Sequence, residues 1–175
     1  MALIRQFERM FGKDTRAEHA LKLADQGRSA AEIAEEITEL REKVRIVAML
    51  DTLEYLKRGG RISGTVAFAG GLLNIKPVVS LVDGEIVVLG RARGSRQGNN
   101  LLVTEIDKAG GVDFNMPVLL GYTGISDLLL QKYVADSAAL WQESKESLRA
   151  TPIGSVIGTH AGPGAIAAAF FKKEG

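Results

Sequence analysis

The sequence predicts an α/β protein built on one mixed β-sheet flanked by helices. Three observations lead there. Apolar patterns of helical and of strand-like period alternate along the chain. A tight-turn pair, Asp83-Gly84, joins two consecutive β-rich runs, which demands antiparallel neighbours. Helical segments separate the other strands, which demands crossovers, and a sheet holding both kinds of connection is mixed.

The elements follow in order. "MALIRQFERMFGKDTR" places Leu3, Ile4, Phe7, Met10 and Phe11 on one helical stripe. That stripe is expected to pack on its own protein or on a partner subunit, with transient contact at a membrane surface as the alternative. Ala17, Ala20, Leu21 and Ala24 form a second helical face, closed by Gly27. Ser29 and Glu32 make an S-x-x-E capping box, and Ile33, Ile37, Leu40 and Val44 follow at helical spacing. "VRIVAML" (44–50) reads as a buried strand. "DTLEYLKR" (51–58) reads as a short helix capped by Asp51 and ended by Gly59. "PVVSLV" and "EIVVLGR" are the two arms of the hairpin. A helix runs through Leu101, Leu102 and Ile106 to Gly110, and "MPVLLGY" (116–122) is the next strand. Helices are expected at 125–135 and 137–149, then strands "GSVIGTH" (154–160) and "AIAAAFF" (165–171).

Composition bounds the function. With 175 residues, one domain is the first expectation and two small ones the second. There is no cysteine, which excludes disulfide and thiolate chemistry and suits a reducing cytoplasm. No apolar run is long enough to span a bilayer, and the start shows no signal-peptide pattern. The net charge is +1, but residues 57–96 carry +5 and the remainder −4. Part of the surface can therefore attract anions, although each of these cations alone reads as an ordinary solvated side chain.

Three stretches could carry chemistry. In "YLKRGGRIS" (55–63), Gly59 and Gly60 free the backbone beside Lys57, Arg58 and Arg61. Such a turn can bind phosphate or carboxylate, but from spacing alone the helix-end reading of Gly with Lys/Arg is stronger. In "RARGSRQG" (91–98), Arg91, Arg93 and Arg96 crowd a strand-to-helix junction, where a helix starting near Ser95 adds partial positive charge. No aromatic residue interleaves with these arginines, so a nucleic-acid stacking platform is not expected. In "VIGTHAGPG" (156–164), Thr159 and His160 are expected at the C-terminal end of a strand, ahead of a loop shaped by Gly162 and Gly164. There His160 can donate to an anion, and a core histidine bonded to a carbonyl is the alternative. His19 has no clustered partner and reads as a surface residue. Two distant histidines and no cysteine make no zinc site, and no Walker loop, G-x-G-x-x-G or G-x-S-x-G occurs. The pattern points to binding rather than turnover.

Taken together, "DTLEYLKRGGRIS", "GGLLNIKPVVSLVDGEI", "RARGSRQG" and "GTHAGPGA", in that order, resemble the DegV family over about residues 20–170. The resemblance implies a non-enzymatic carrier that encloses one long-chain fatty acid in an apolar tunnel. A fatty acid kinase then phosphorylates the head group, and the acyl phosphate is retained. No cofactor is implied beyond the bound lipid. By motif, Arg61, Arg93 and His160 fall on polar residues near the tunnel mouth. Ile62, Phe68, Leu72, Leu73 and Ile75 are candidate tunnel wall, with plain core as the alternative. The family also carries an N-terminal parallel α/β domain, whose threonine and serine hold the carboxylate. The first 16 residues here do not align with it. The expected organisation is a non-family segment at 1–16, a remnant of that domain at 17–62 and the family's C-terminal domain at 63–175. The alternative function is a truncated or split interaction module that oligomerises, or awaits a separate N-terminal domain, and has lost lipid binding.

Overall fold

The computed structural model describes residues 15–62, 74–144 and 148–173. The amphipathic start and the candidates Phe68, Leu72 and Leu73 lie outside the described residues.

The first described helix, α1, covers residues 15–25. Its inner face is not the predicted one. Leu23 and Thr15 are buried, whereas Leu21 is 67% exposed. The alanines on that face gave too weak a pattern to fix the helix rotation. His19 also departs from expectation: its Nε2 lies 2.8 Å from Glu36 Oε1, tying α1 to the next helix. That helix, α2 (Ala30–Leu40), begins with the predicted capping box, Ser29 and Glu32 each bonding the other's backbone N–H. A 3₁₀ turn leads to β1 (Val44–Met49), and a short α3 (Glu54–Arg58) follows. Asp51 is not its cap. Glu54 N–H donates instead to Thr52 Oγ1 at 3.2 Å, and Asp51 pairs with Lys76.

The hairpin forms as predicted from β2 (Ile75–Val82) and β3 (Glu85–Arg93). Asp83 and Gly84 take φ of 50° and 78°, the positive angles a two-residue turn requires. Then come α4 (Gly94–Lys108), β4 (Leu119–Tyr122), α5 (Leu128–Asp136) and α6 (Ala138–Trp141). The helix expected over 137–149 is thus only one turn long, and its end is a strand, β5 (Arg149–Pro152). The expected strand at 154–160 is a helix, α7 (Ser155–Ala161). Ile153, Ile157 and Ala161 are buried while Val156 and Thr159 are exposed. That spacing of four is helical, and it outweighs the strand propensity of the Val-Ile pair. The last strand, β6 (Ile166–Phe171), is as predicted.

The six strands lie in the order β3-β2-β1-β6-β4-β5. Only β4 and β5 run parallel, so the sheet is mixed. β1, from the earlier part of the chain, pairs with β2 on one side and β6 on the other. Strand alternation gives the sheet two different faces. Val47, Val78, Ile166 and Phe170 point to the face covered by α4, α5 and α6, where Leu102, Ile106, Tyr133 and Trp141 complete the core. Ile46, Ala48, Val79, Ala167 and Ala169 point to the other face, covered by α3 and α7. Among the described residues no helix is long and apolar enough to cross a membrane.

Candidate functional site

β6 is asymmetric. The face toward α4, α5 and α6 carries Ile166, Ala168 and Phe170, while Ala167 and Ala169, with Ala165 just before the strand, lie on the α3/α7 side. Register extends this smallness sideways: Gly121, Ala167, Ala48 and Val79 stand side by side across β4, β6, β1 and β2. Side chains this short cannot reach the helices above them. The result is a narrow apolar slot, part of it open to solvent. Its lining is almost wholly hydrocarbon, including Ile46, Leu56, Leu81 and Ile157, with Arg61, His160 and Ser80 as the polar exceptions. Ser80 is already satisfied, its Oγ donating to Ile46 O at 2.8 Å.

Arg61 and His160, 99 positions apart in sequence, are brought together here because α3 packs against α7. The fit between their turns is tight. A Cβ on Gly59 would overlap His160 Nδ1 and stand 2.7 Å from its Cε1. A Cβ on Gly162 would overlap the Tyr55 ring. The two glycines therefore serve close approach between protein groups. The turn amides are spent internally: Gly59, Gly60 and Arg61 donate to the carbonyls of Tyr55, Lys57 and Leu56. This is the helix-end role, and it leaves the side chains as the donors for an anion. Gly60 and Gly164, at φ of 66° and 78°, shape the backbone on either side of the pair.

Arg61 Nη1 donates to Gly59 O at 2.6 Å. Arg61 Nε and His160 Nδ1 are buried and have no hydrogen-bond partner among the described residues. Buried polar atoms are normally satisfied, so this pair has unused capacity for an acceptor, and a guanidinium edge suits a carboxylate or phosphate. Burial, and then the Arg61 charge, hold the His160 imidazole below its ordinary 6.5. The unfolded chain therefore takes up this proton first as pH falls. The stabilisation is complete above the unfolded value and is lost as pH drops through the lower folded one. Chemical denaturation across the imidazole range should show this acid loss, and His160→Gln should flatten it.

The other predicted residues lie apart from this pair. Arg93 and Thr159 are exposed and do not line the slot. Thr159 Oγ1 donates within its own helix, to Ser155 O at 2.8 Å. Arg93 flanks the start of α4, opposite Ile75 in the β2–β3 pairing. A bulge at Leu89 matters here, because Val79 pairs with Val88 but Val78 with Gly90. Gly90 consequently faces α4, where an added Cβ would stand 3.1 Å from Leu101. Beyond it, alternation turns Arg91 and Arg93 to the slot's side of the sheet. Ile62 packs against the slot-side cluster, and Ile75 is half-buried outside the lining. Sequence reasoning missed Ala48, Ala165, Ala167, Ile153 and Ile157; the run of alanines at 167–169 was a readable sign of small side chains, but not of which face they lie on. Among the described residues no group of three or more His, Asp or Glu is placed to hold a metal ion.

Comparison with known proteins adds the decisive observation. Residues 10–173 match a family model described as "Uncharacterised protein, DegV family". The chain belongs to the DegV family. Among DegV relatives, a DegV domain-containing protein of Caldanaerobacter subterraneus is 35% identical over 156 residues, covering 89% of this chain and 54% of the relative. This chain thus spans about half the length of the curated DegV proteins it matches. Solved DegV structures share the fold. A fatty acid binding DegV protein of Streptococcus agalactiae aligns with TM-score 0.70 and 26% identity, over 91% of this chain and 55% of that one. A DegV protein of Thermus thermophilus, described by its fatty acid binding, aligns with TM-score 0.69 and 28% identity, over 89% and 55%. The fatty acid kinase B3 protein of Streptococcus pneumoniae, loaded with linoleic acid, aligns with TM-score 0.75 and 24% identity, over 91% and 56%.

Proposed function

We propose that this chain binds a long-chain fatty acid, its tail along the apolar slot and its carboxylate against Arg61 and His160. The observation that carries the reading is the lining itself: hydrocarbon except for Ser80, whose hydroxyl is already bonded to Ile46 O, and two adjacent side chains, Arg61 and His160, with unpaired nitrogens. An acyl tail gains about 0.8 kcal/mol for each methylene removed from water. The head group needs paired donors, because an unpaired buried carboxylate is costly. Arg93, on the same side of the sheet, extends the cationic surface toward a phosphorylated head group. The protein acts as a cytoplasmic carrier without a catalytic step of its own, and a fatty acid kinase is the partner that modifies the ligand. The solved relatives described as fatty acid binding support this reading.

The test is calorimetric titration of delipidated protein with palmitate. Binding is expected, and Arg61→Gln should weaken it by about tenfold or more, since a hydrogen bond to a charged group contributes roughly 1.5–3 kcal/mol. A delipidated, folded chain with no affinity for palmitate would overturn the proposal. It would favour the interaction-module reading, to which the exposed Ile125, Leu128 and Leu129 lend support. Light scattering would then show an oligomer.

A further inference from the structure

The segment that carries His160 into the sheet is held from an unexpected side. Thr123 directly follows β4 and is buried, and its polar atoms all turn to the Gly162–Ala165 stretch. Its backbone N–H donates to Ala165 O at 2.9 Å, and its carbonyl accepts from Gly164 N–H at 3.2 Å. Its hydroxyl does both jobs, donating to Gly162 O at 2.6 Å and accepting from Ala165 N–H at 2.8 Å. Gly162 is the residue that ends α7, two positions after His160. On its other side Gly162 meets the Tyr55 ring, and Tyr55 O in turn accepts from Gly59 N–H, with Gly59 lying under the His160 ring.

We infer that Thr123 is a positioning residue for the ligand site, its hydroxyl acting as a latch that fixes the 162–165 loop and so the place of His160 beside Arg61. The inference rests on the fatty-acid reading for its consequence, but the latch itself is a property of the unliganded protein. Only a side chain that can donate and accept at once satisfies both loop groups. Valine has the shape of threonine but neither capacity, and serine keeps both. With valine, Gly162 O and Ala165 N–H are left buried and unpaired, and the loop must open to reach water. The end of α7 then loosens against α3, and the His160 ring gains solvent. Arg61, from the 59–61 turn, is the charged group whose field the ring feels; on the loop itself, Tyr55 packs at Gly162 and the Asp51 carboxyl lies beside Gly164.

The experiment is an NMR titration of the His160 imidazole in ligand-free wild type, Thr123→Val and Thr123→Ser, with palmitate affinity measured on each. Thr123→Val should move the His160 midpoint up toward its ordinary value and weaken palmitate binding about tenfold. Thr123→Ser should restore both. A Thr123→Val protein that titrates and binds like wild type overturns the latch. Should that variant fail to fold, hydrogen exchange of the wild-type Ala165 amide decides instead. Protection matching the Ala167 and Ala168 amides of β6 supports the latch, and exchange at the rate of an exposed loop overturns it. If wild type binds no palmitate, the ligand reading falls, while the imidazole titration and the Ala165 exchange still judge the latch.

Discussion

Replacing Ala167 by leucine is expected to block the slot and sharply reduce fatty-acid affinity while leaving the fold intact. Ala167 sits between Gly121 and Ala48 on the floor of the slot, so the added carbons project into the space assigned to the tail. Three displaced methylenes at about 0.8 kcal/mol each amount to roughly 2.4 kcal/mol, a loss of about fiftyfold. The free protein should be no less stable, because leucine fills a groove rather than a packed core. Titration calorimetry with palmitate and thermal melts of the ligand-free protein read the two effects separately. Undiminished affinity would remove the slot as the tail site. A melting point lowered as by ordinary overpacking, a cost of about 1–3 kcal/mol, would show that the groove is closed in solution.

Gly59→Ala is expected to displace His160 and to weaken head-group binding by about tenfold or more. The backbone at Gly59 has φ −77° and ψ −3°, which alanine adopts freely. Any damage must therefore come from the new methyl's contacts, chiefly with the His160 ring and to a lesser degree with Tyr55 O at 3.2 Å, with no contribution from strained dihedrals. Elsewhere such a substitution stabilises by about 0.4–1 kcal/mol through the unfolded chain, so the sign itself is informative. A double-mutant cycle isolates the contact. Once His160 is replaced by alanine, adding Gly59→Ala should cost far less than it does in the wild type. Additive losses would mean that the glycine and the histidine act independently, against the packing described above.

Features legible in the sequence were those set by neighbours in the chain. The capping box of Ser29 and Glu32 and the Asp83-Gly84 turn are local, and both formed as read. The β-branched run of β1 was equally plain, and so was the mixed sheet. The misreading of α7 has a definite cause. Its seven residues include Gly158 and a Val-Ile pair, so local propensity favoured a strand. The spacing of Ile153, Ile157 and Ala161 held the contrary information, and it takes effect only when there is a sheet for that face to cover. For the candidate site, the sequence named residues but not the geometry that joins them. Motif reading found Arg61 and His160 separately. What joins them is the docking of α3 on α7 and the hold of Thr123 on Gly162, 39 positions away. No local pattern encodes a contact of that separation, and the His19–Glu36 link between α1 and α2 escaped for the same reason.

The placement of β6 has a consequence for how the chain acquires its structure. β6 is the partner of both β1 and β4, so the two halves of the sheet touch only through it. During synthesis, β1, β2 and β3 can associate early, but they present a bare flank until residues 166–171 leave the ribosome. Contacts this distant in sequence slow folding, and until they form β1 and β4 each keep an unpaired edge. That last strand is two-faced: Ala167 and Ala169 enter on the α3/α7 side, while Ile166 and Phe170 complete the core on the other.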